Sequence, residues 1–235
     1  MMDVKYEVSG GQNLGEIVSV FPGSAEIFNE YKIDYCCGGH DTLKEALKEK
    51  NIPEQEFLKK MNSAYESFVK EASEYKDWRR EEPQKLIKHI INSHHQYTKK
   101  ELKDIDFLMT KILKVHFKSH GEELLKLHRL FGGLKIELEE HLVKEEENLF
   151  PLMTEYFANK DAEGLEEIQQ FILDTEEEHD AAGDILKEIE KLTGDFTPPE
   201  DGCNTYRLVY SKLDALEKDL FMHIYLENTV LFGMV

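Results

Sequence analysis

Long apolar runs are missing from this 235-residue chain, and no stretch approaches the roughly 18 to 20 consecutive apolar residues that span a bilayer. Met1 to Val8 shows no basic segment followed by an apolar one, so no leader is expected and the protein is expected in the cytoplasm. Positive charge is scarce: 29 Lys and Arg stand against 48 Asp and Glu, a net charge of −19. Unspecific binding to nucleic acid or to an anionic membrane needs a cationic face, so neither partner is expected. Only three cysteines occur, and Cys36 and Cys37 are neighbours. Adjacent cysteines close a disulfide only with a distorted peptide link, which excludes a disulfide framework, and reduced thiols suit a reducing compartment. With 6 prolines, 14 glycines and abundant Ala, Leu, Glu and Lys, the default is an all-α protein. The 40% hydrophobic and 33% charged composition is that of a globular chain able to build a core in one or two domains.

Pro and Gly set the punctuation. Gly10-Gly11, Pro22-Gly23 and Gly38-Gly39 divide the first 40 residues, with helices expected near Leu14 to Val20 and Ser24 to Tyr31. A helical pattern runs from Thr42 to about Tyr75 with a break near Pro53. Residues 1–75 therefore read as a small helical N-terminal domain, and 76–82 as a charged linker. Pro83 then sits where a first helical turn tolerates proline. Four long tracts follow over about 83–118, 122–158, 162–193 and 199–233, separated at Gly121, at 159–164 and at 194–199. Short connections between long helices imply an up-and-down four-helix bundle over 83–235.

Each tract carries one stripe at alternating spacings of three and four. The first includes Ile91, His95, Thr98, Leu102 and Ile105, the second Leu134, Leu138, His141, Glu145 and Leu149. The third includes Thr175, His179, Ala182 and Leu186, the fourth Leu216, Leu220, His223, Glu227 and Val230. Histidines and glutamates thus interrupt otherwise apolar rows. An internal echo sharpens the point, since His141 to Phe150 and His223 to Phe232 share His-x3-Glu-x3-Leu-Phe.

His and Glu four residues apart lie on one helix face and can turn toward one point. A carboxylate in an apolar core is costly unless it is paired or binds a metal. Two such pairs, with His95 and His179 from the remaining stripes, make six ligands, too many for a tetrahedral zinc and suited to two octahedral irons sharing carboxylates. A lone core histidine or a lone His-x3-Glu on a Glu-rich helix is ordinarily structural; the repeated motif turns the reading toward metal. His40, His89, His94, His116, His120 and His128 are read as structural, and the stripe favours His95 over its neighbour His94. The ferritin-type Glu-x-x-His pattern is incomplete, because only Glu176 and His179 fit it. Histidine-rich coordination favours oxygen or nitric oxide as small ligands. Glu137, Asp219 and Thr175 each precede a ligand histidine by four residues and either accept its second ring N–H or lie on a solvated face.

Asp34-Tyr35-Cys36-Cys37-Gly38-Gly39 places two thiols beside residues that free the backbone to turn and aim N–H groups at a thiolate. Such a turn lowers a thiol pKa and makes a soft ligand, while two inert buried cysteines are the alternative.

These motifs, with Asp77-Trp78-Arg79, His141 to Pro151, Glu178-His179-Asp180 and His223 to Phe232, resemble the RIC family of iron–sulfur cluster repair di-iron proteins over nearly the whole chain. The resemblance implies a hemerythrin-like bundle with two non-haem iron ions, oxo- or hydroxo-bridged. His95, His141, His179 and His223 would be terminal ligands, with Glu145 and Glu227 as bridges. It further implies repair of clusters damaged by nitrosative or oxidative stress through iron supply. Damaged iron–sulfur proteins or the cluster assembly machinery would be the partners, and Cys36 and Cys37 candidate thiols for passing iron. Thr98 stands where relatives often carry histidine, and Gly233 where they carry proline. Nitric oxide reduction at the di-iron centre and a hemerythrin-like gas sensor are the alternatives, so whether the protein is an enzyme stays open, as does a homodimer.

Overall fold

A computed structural model describes residues 6–36, 39–71, 77–159 and 164–235. Among the described residues the regular structure is helical, with one isolated bridge between Asn13 and Thr42, so the protein is all-α. The chain divides into two compact units, residues 1–82 with 224–234, and residues 83–223 with 235.

The first unit opens with α1 (Leu14–Val20), α2 (Ser24–Glu30), α3 (Leu43–Glu49) and α4 (Glu54–Glu71), followed by a 3-10 turn at Trp78–Arg80. Local chemistry sets the boundaries. Pro22-Gly23 ends α1, and Thr42 and Glu45 form a reciprocal cap on α3: the Glu45 N–H donates to Thr42 Oγ1 at 3.3 Å and the Thr42 N–H to Glu45 Oε2 at 3.2 Å. Asn51, in the left-handed region at φ 56°, lets the chain leave α3 before Pro53 starts the next helix. Phe28, Tyr35, Phe57 and Met61 fill the core, with Phe28 stacked on Phe57 at 6.3 Å. This unit takes in the end of the chain's last helix, where Tyr225 Oη lies 2.8 Å from Ser19 Oγ. Gly15 is required there, since a Cβ on it would sit 3.0 Å from Thr229.

The second unit begins with α5 (Pro83–His89), which passes through a π-helical turn (Ile90–His95) into α6 (Gln96–Lys144). A second π turn (Glu145–Leu149) leads to α7 (Phe150–Asn159); α8 (Leu165–Leu192) and α9 (Asn204–Tyr225) complete the series, α9 continuing as a third π turn (Leu226–Leu231). Helical hydrogen bonding carries through the expected break at Gly121, but His120 leaves helical geometry at φ −130° and ψ 19°, and the two halves of α6 are separate bundle helices. Gly194, at φ 58°, closes the end of α8.

Cross-helix pairs define the topology. Asp106 meets Lys135 and His95 meets Glu146, so the two halves of α6 run antiparallel. Lys126 with Glu188 and His141 with Glu178 do the same for the second half of α6 and α8. Glu101 with Lys212 and His94 with Asp219 pair the first half of α6 and its lead-in turn antiparallel to α9. The result is an up-and-down four-helix bundle. Leu102, Phe131, Leu134, Leu186, Tyr210 and Leu216 belong to one apolar cluster drawn from all four helices. Among the described residues no helix is long and apolar enough to cross a membrane.

Candidate metal centre

Four helical strands of the bundle each deliver a buried histidine near one end: His95, His141, His179 and His223 are all at most 5% exposed. Three of the strands do so at a π turn. His95 closes the first, Glu145 opens the second, and Glu227 lies in the third, one turn beyond His223 on the same unbroken helix. A π turn inserts an extra residue, which rotates the side chains that follow it and is a frequent mark of functional positions. The repeated His-x3-Glu-x3-Leu-Phe motif straddles the second and third of these turns, a feature that helical periodicity does not reveal.

Ligand atoms gather into two groups, His95, Glu145, His223 and Glu227 in one and His141, Glu145, His179 and Glu227 in the other, with the atoms of each within 4.8 Å of one another. Among the described residues no other such group occurs, so the six residues picked from the stripes are brought together and the other six histidines are outside. His95 Nε2 lies 3.1 Å from His223 Nε2, and His141 Nε2 lies 3.2 Å from His179 Nε2. Two nitrogens about 2.1 Å from one cation and at a right angle would be roughly 3.0 Å apart. Glu145 Oε2 is 3.4 Å from both His95 Nε2 and His141 Nε2, midway between the two groups.

The opposite ring nitrogens settle the tautomers. His95 Nδ1–H donates to Glu146 Oε1 at 2.8 Å, and His141 Nδ1–H donates to Glu178 Oε2 at 2.7 Å. Lys99 holds Glu146 at 2.7 Å and Lys144 holds Glu178 at 2.7 Å. Each carboxylate is thereby kept ionised. The hydrogen bond from His141 is the largest influence on Glu178, and with Lys144 it outweighs burial and lowers the pKa to about 2. Burial acts most strongly on Glu146 and raises its pKa, but Lys99 and His95 together bring it below the ordinary value. With Nδ1 protonated, the Nε2 lone pairs of His95 and His141 turn inward, as metal ligation requires.

Two carboxylates in a dry interior are costly unless a partner or a cation compensates them. Four nitrogens and two carboxylates, arranged as two overlapping groups, suit a metal site.

Glu137 is exposed, on a solvated face, and the partner of His141 is Glu178 from the neighbouring helix. Asp219 meets His94 Nδ1 at 3.1 Å, and the His94 ring stacks on that of His223 at 5.7 Å. Thr175 is buried one turn from His179. In the N-terminal unit Cys36 is buried and its thiol donates to Asp34 Oδ1 at 3.2 Å. Cys37 and Gly38 lie outside the described residues. Cys203, not singled out in the sequence, is the exposed thiol with the lowered pKa, about 7, through a hydrogen bond to His116 and backbone N–H groups at the start of α9.

Comparison with known proteins agrees with this architecture. The family model described as "Domain of Unknown function (DUF542)" matches residues 10–65, and "Hemerythrin HHE cation binding domain" matches residues 86–235. The chain is 32% identical over 223 residues to the iron-sulfur cluster repair protein ScdA of Staphylococcus epidermidis, covering 94% of this chain and 96% of that one. It is 31% identical to the iron-sulfur cluster repair protein YtfE of Pectobacterium atrosepticum, covering 94% and 95%, and 32% identical to a probable iron-sulfur cluster repair protein of Haemophilus influenzae, covering 95% and 96%.

Proposed function

The chain belongs to the iron–sulfur cluster repair proteins that carry a hemerythrin cation-binding domain, and on that premise we propose that it restores damaged clusters by supplying iron from a two-iron centre in its bundle. The observation that carries this reading is the pair of ligand groups sharing Glu145 and Glu227. His95 and His223 would hold one iron, His141 and His179 the other, with both glutamates bridging.

When bound, the irons supply a redox-active pair and the cargo itself; the chain's own residues decide how firmly it is held. Glu146 and Glu178 fix the imidazoles of His95 and His141 so that their Nε2 atoms face inward. Lys99 and Lys144 keep those carboxylates charged and in place. The interior leaves the ligating atoms little access to water. Carboxylates change between bridging and terminal binding at small cost, so Glu145 and Glu227 suit a centre that gives up metal. The recipients are damaged iron–sulfur proteins or the assembly machinery, and the site of action is the cytoplasm. Cys36 and Cys37 stand as the thiols proposed to pass iron on.

The test is restoration of a nitric oxide-damaged cluster enzyme by the iron-loaded protein under anaerobic conditions. Faster recovery than with an equal amount of free ferrous iron is expected, and equal or slower recovery overturns the delivery reading. A second reading, nitric oxide reduction, draws on the adjacency of the two groups, which would bring two nitric oxide molecules together. It predicts nitrous oxide from the diferrous protein.

A further inference from the structure

One turn from the four histidines, toward the His120 end of the bundle, lies a layer made of Thr98, Leu138, Ala182 and Leu220, each three residues from its helix's ligand histidine. All four are at most 5% exposed, and the three apolar members belong to the core cluster. Thr98 is fully buried and its Oγ1 has no hydrogen-bond partner. Three other threonines on or at the end of the bundle helices bond back to the carbonyl four residues earlier. Thr110 reaches Asp106 at 3.1 Å, Thr154 reaches Phe150 at 2.7 Å and Thr193 reaches Ile189 at 2.9 Å. Thr98 forgoes the equivalent bond to His94, although a buried hydroxyl without a partner is destabilising.

The layer is uneven in size. The helices of Thr98 and Ala182 are diagonal in the bundle, because the cross-helix pairs join the helix of Thr98 to the second half of α6 and to α9, which leaves α8 opposite it. The two small side chains therefore oppose each other across the axis, and the two leucines occupy the other diagonal. A threonine and an alanine fill less volume than a second pair of leucines would, and the one polar atom among the layer's side chains, Thr98 Oγ1, lies on this smaller diagonal.

We propose that Thr98 binds and positions a small acceptor ligand beneath the metal centre, a linear anion or diatomic molecule whose free end accepts the Oγ1–H. This rests on the two-metal reading above. The hydroxyl supplies a donor that apolar neighbours cannot, so it favours ligands with a charged or strongly polar free end over carbon-capped ones.

Azide is the probe. Wild-type protein and the Thr98→Val and Thr98→Ser variants are loaded with ferric iron, their iron per chain is counted, and azide is titrated through its charge-transfer absorption; the melting of the metal-free forms is recorded alongside. Thr98→Val is expected to keep wild-type iron and bind azide about tenfold more weakly, the loss of one hydrogen bond to a charged acceptor. Thr98→Ser should stay near wild type, and metal-free Thr98→Val should melt above wild type because the unpartnered hydroxyl is gone. Unchanged azide affinity at wild-type iron content overturns the proposal while leaving the metal centre intact. Absence of iron from the wild-type protein overturns the metal centre and the proposal with it. Should Thr98→Val fail to fold, Thr98→Ala against Thr98→Ser makes the same comparison.

Discussion

Glu178 accepts the Nδ1–H of His141 at 2.7 Å and stands next in sequence to His179, whose Nε2 lies 3.2 Å from that of His141. One short segment of α8 thus supplies an imidazole to the buried cluster and the carboxylate that orients an imidazole on the neighbouring helix. Glu146, adjacent to Glu145, does the same for His95.

From this arrangement follows a loss of metal affinity on removing the acceptor. Glu178→Leu and Glu146→Leu should each weaken iron binding by about 10 to 100-fold without unfolding the bundle. Competition with a chelator of known affinity, with circular dichroism on the same samples, checks both parts.

Replacing a shared ligand should be more drastic. Glu145→Leu or Glu227→Leu is expected to abolish one or both irons with little loss of helix, since each carboxylate belongs to both ligand groups. Iron per chain by elemental analysis measures the effect, and an unchanged content would refute their role as bridges.

Chelation of the wild-type protein should lower its melting temperature, because metal that binds only the folded chain stabilises it. At a free metal concentration of 100 times Kd that stabilisation is about 2.7 kcal/mol. Calorimetry before and after chelation, and again on adding ferrous iron back, reads it directly.

Cys203 provides a pH-dependent prediction away from the centre. Its pKa is lowered to about 7, first by the His116 hydrogen bond. Thiolate therefore accumulates as pH rises through 7, and alkylation by iodoacetamide should increase with a midpoint near that value. His116→Ala should move the midpoint upward toward that of an ordinary thiol. Mass spectrometry of the Cys203 peptide follows the rate.

Gly15 allows a test of the N-terminal unit. A Cβ there would meet Thr229 at 3.0 Å and the Gly39 carbonyl at 3.2 Å, and backbone cannot yield as a flexible side chain does. Gly15→Val should destabilise this unit by about 1 to 3 kcal/mol, visible in urea unfolding followed by hydrogen exchange of α1.

Much of this was legible beforehand, for local reasons. The Thr42 and Glu45 cap, Pro53 and Pro83 mark helix starts through interactions a few residues long. The stripes containing His95, His141, His179 and His223 follow from the helical repeat alone, and a glutamate four residues after a histidine must share its face. The same periodicity places His95, not His94, on the inward stripe.

What linear spacing could not carry are relations between helices and departures from the regular repeat. Glu137 shares a helix face with His141 by spacing, yet Glu178 is the partner, because only packing of α8 against α6 brings a carboxylate to Nδ1. Asp219 was diverted to His94 for the same kind of reason. The π turns at Ile90–His95, Glu145–Leu149 and Leu226–Leu231 are not announced by residue type, since an extra residue in a turn changes the hydrogen-bonding pattern while the flanking residues stay helical. By itself the sequence determined an all-α chain, its helix starts and the inward-facing histidines and glutamates, all consequences of short-range sterics and a repeat of 3.6. Which carboxylate orients which imidazole, and that Thr98 is left without a partner beneath them, were decided only when four antiparallel helices set side chains from distant segments within hydrogen-bonding distance or out of it.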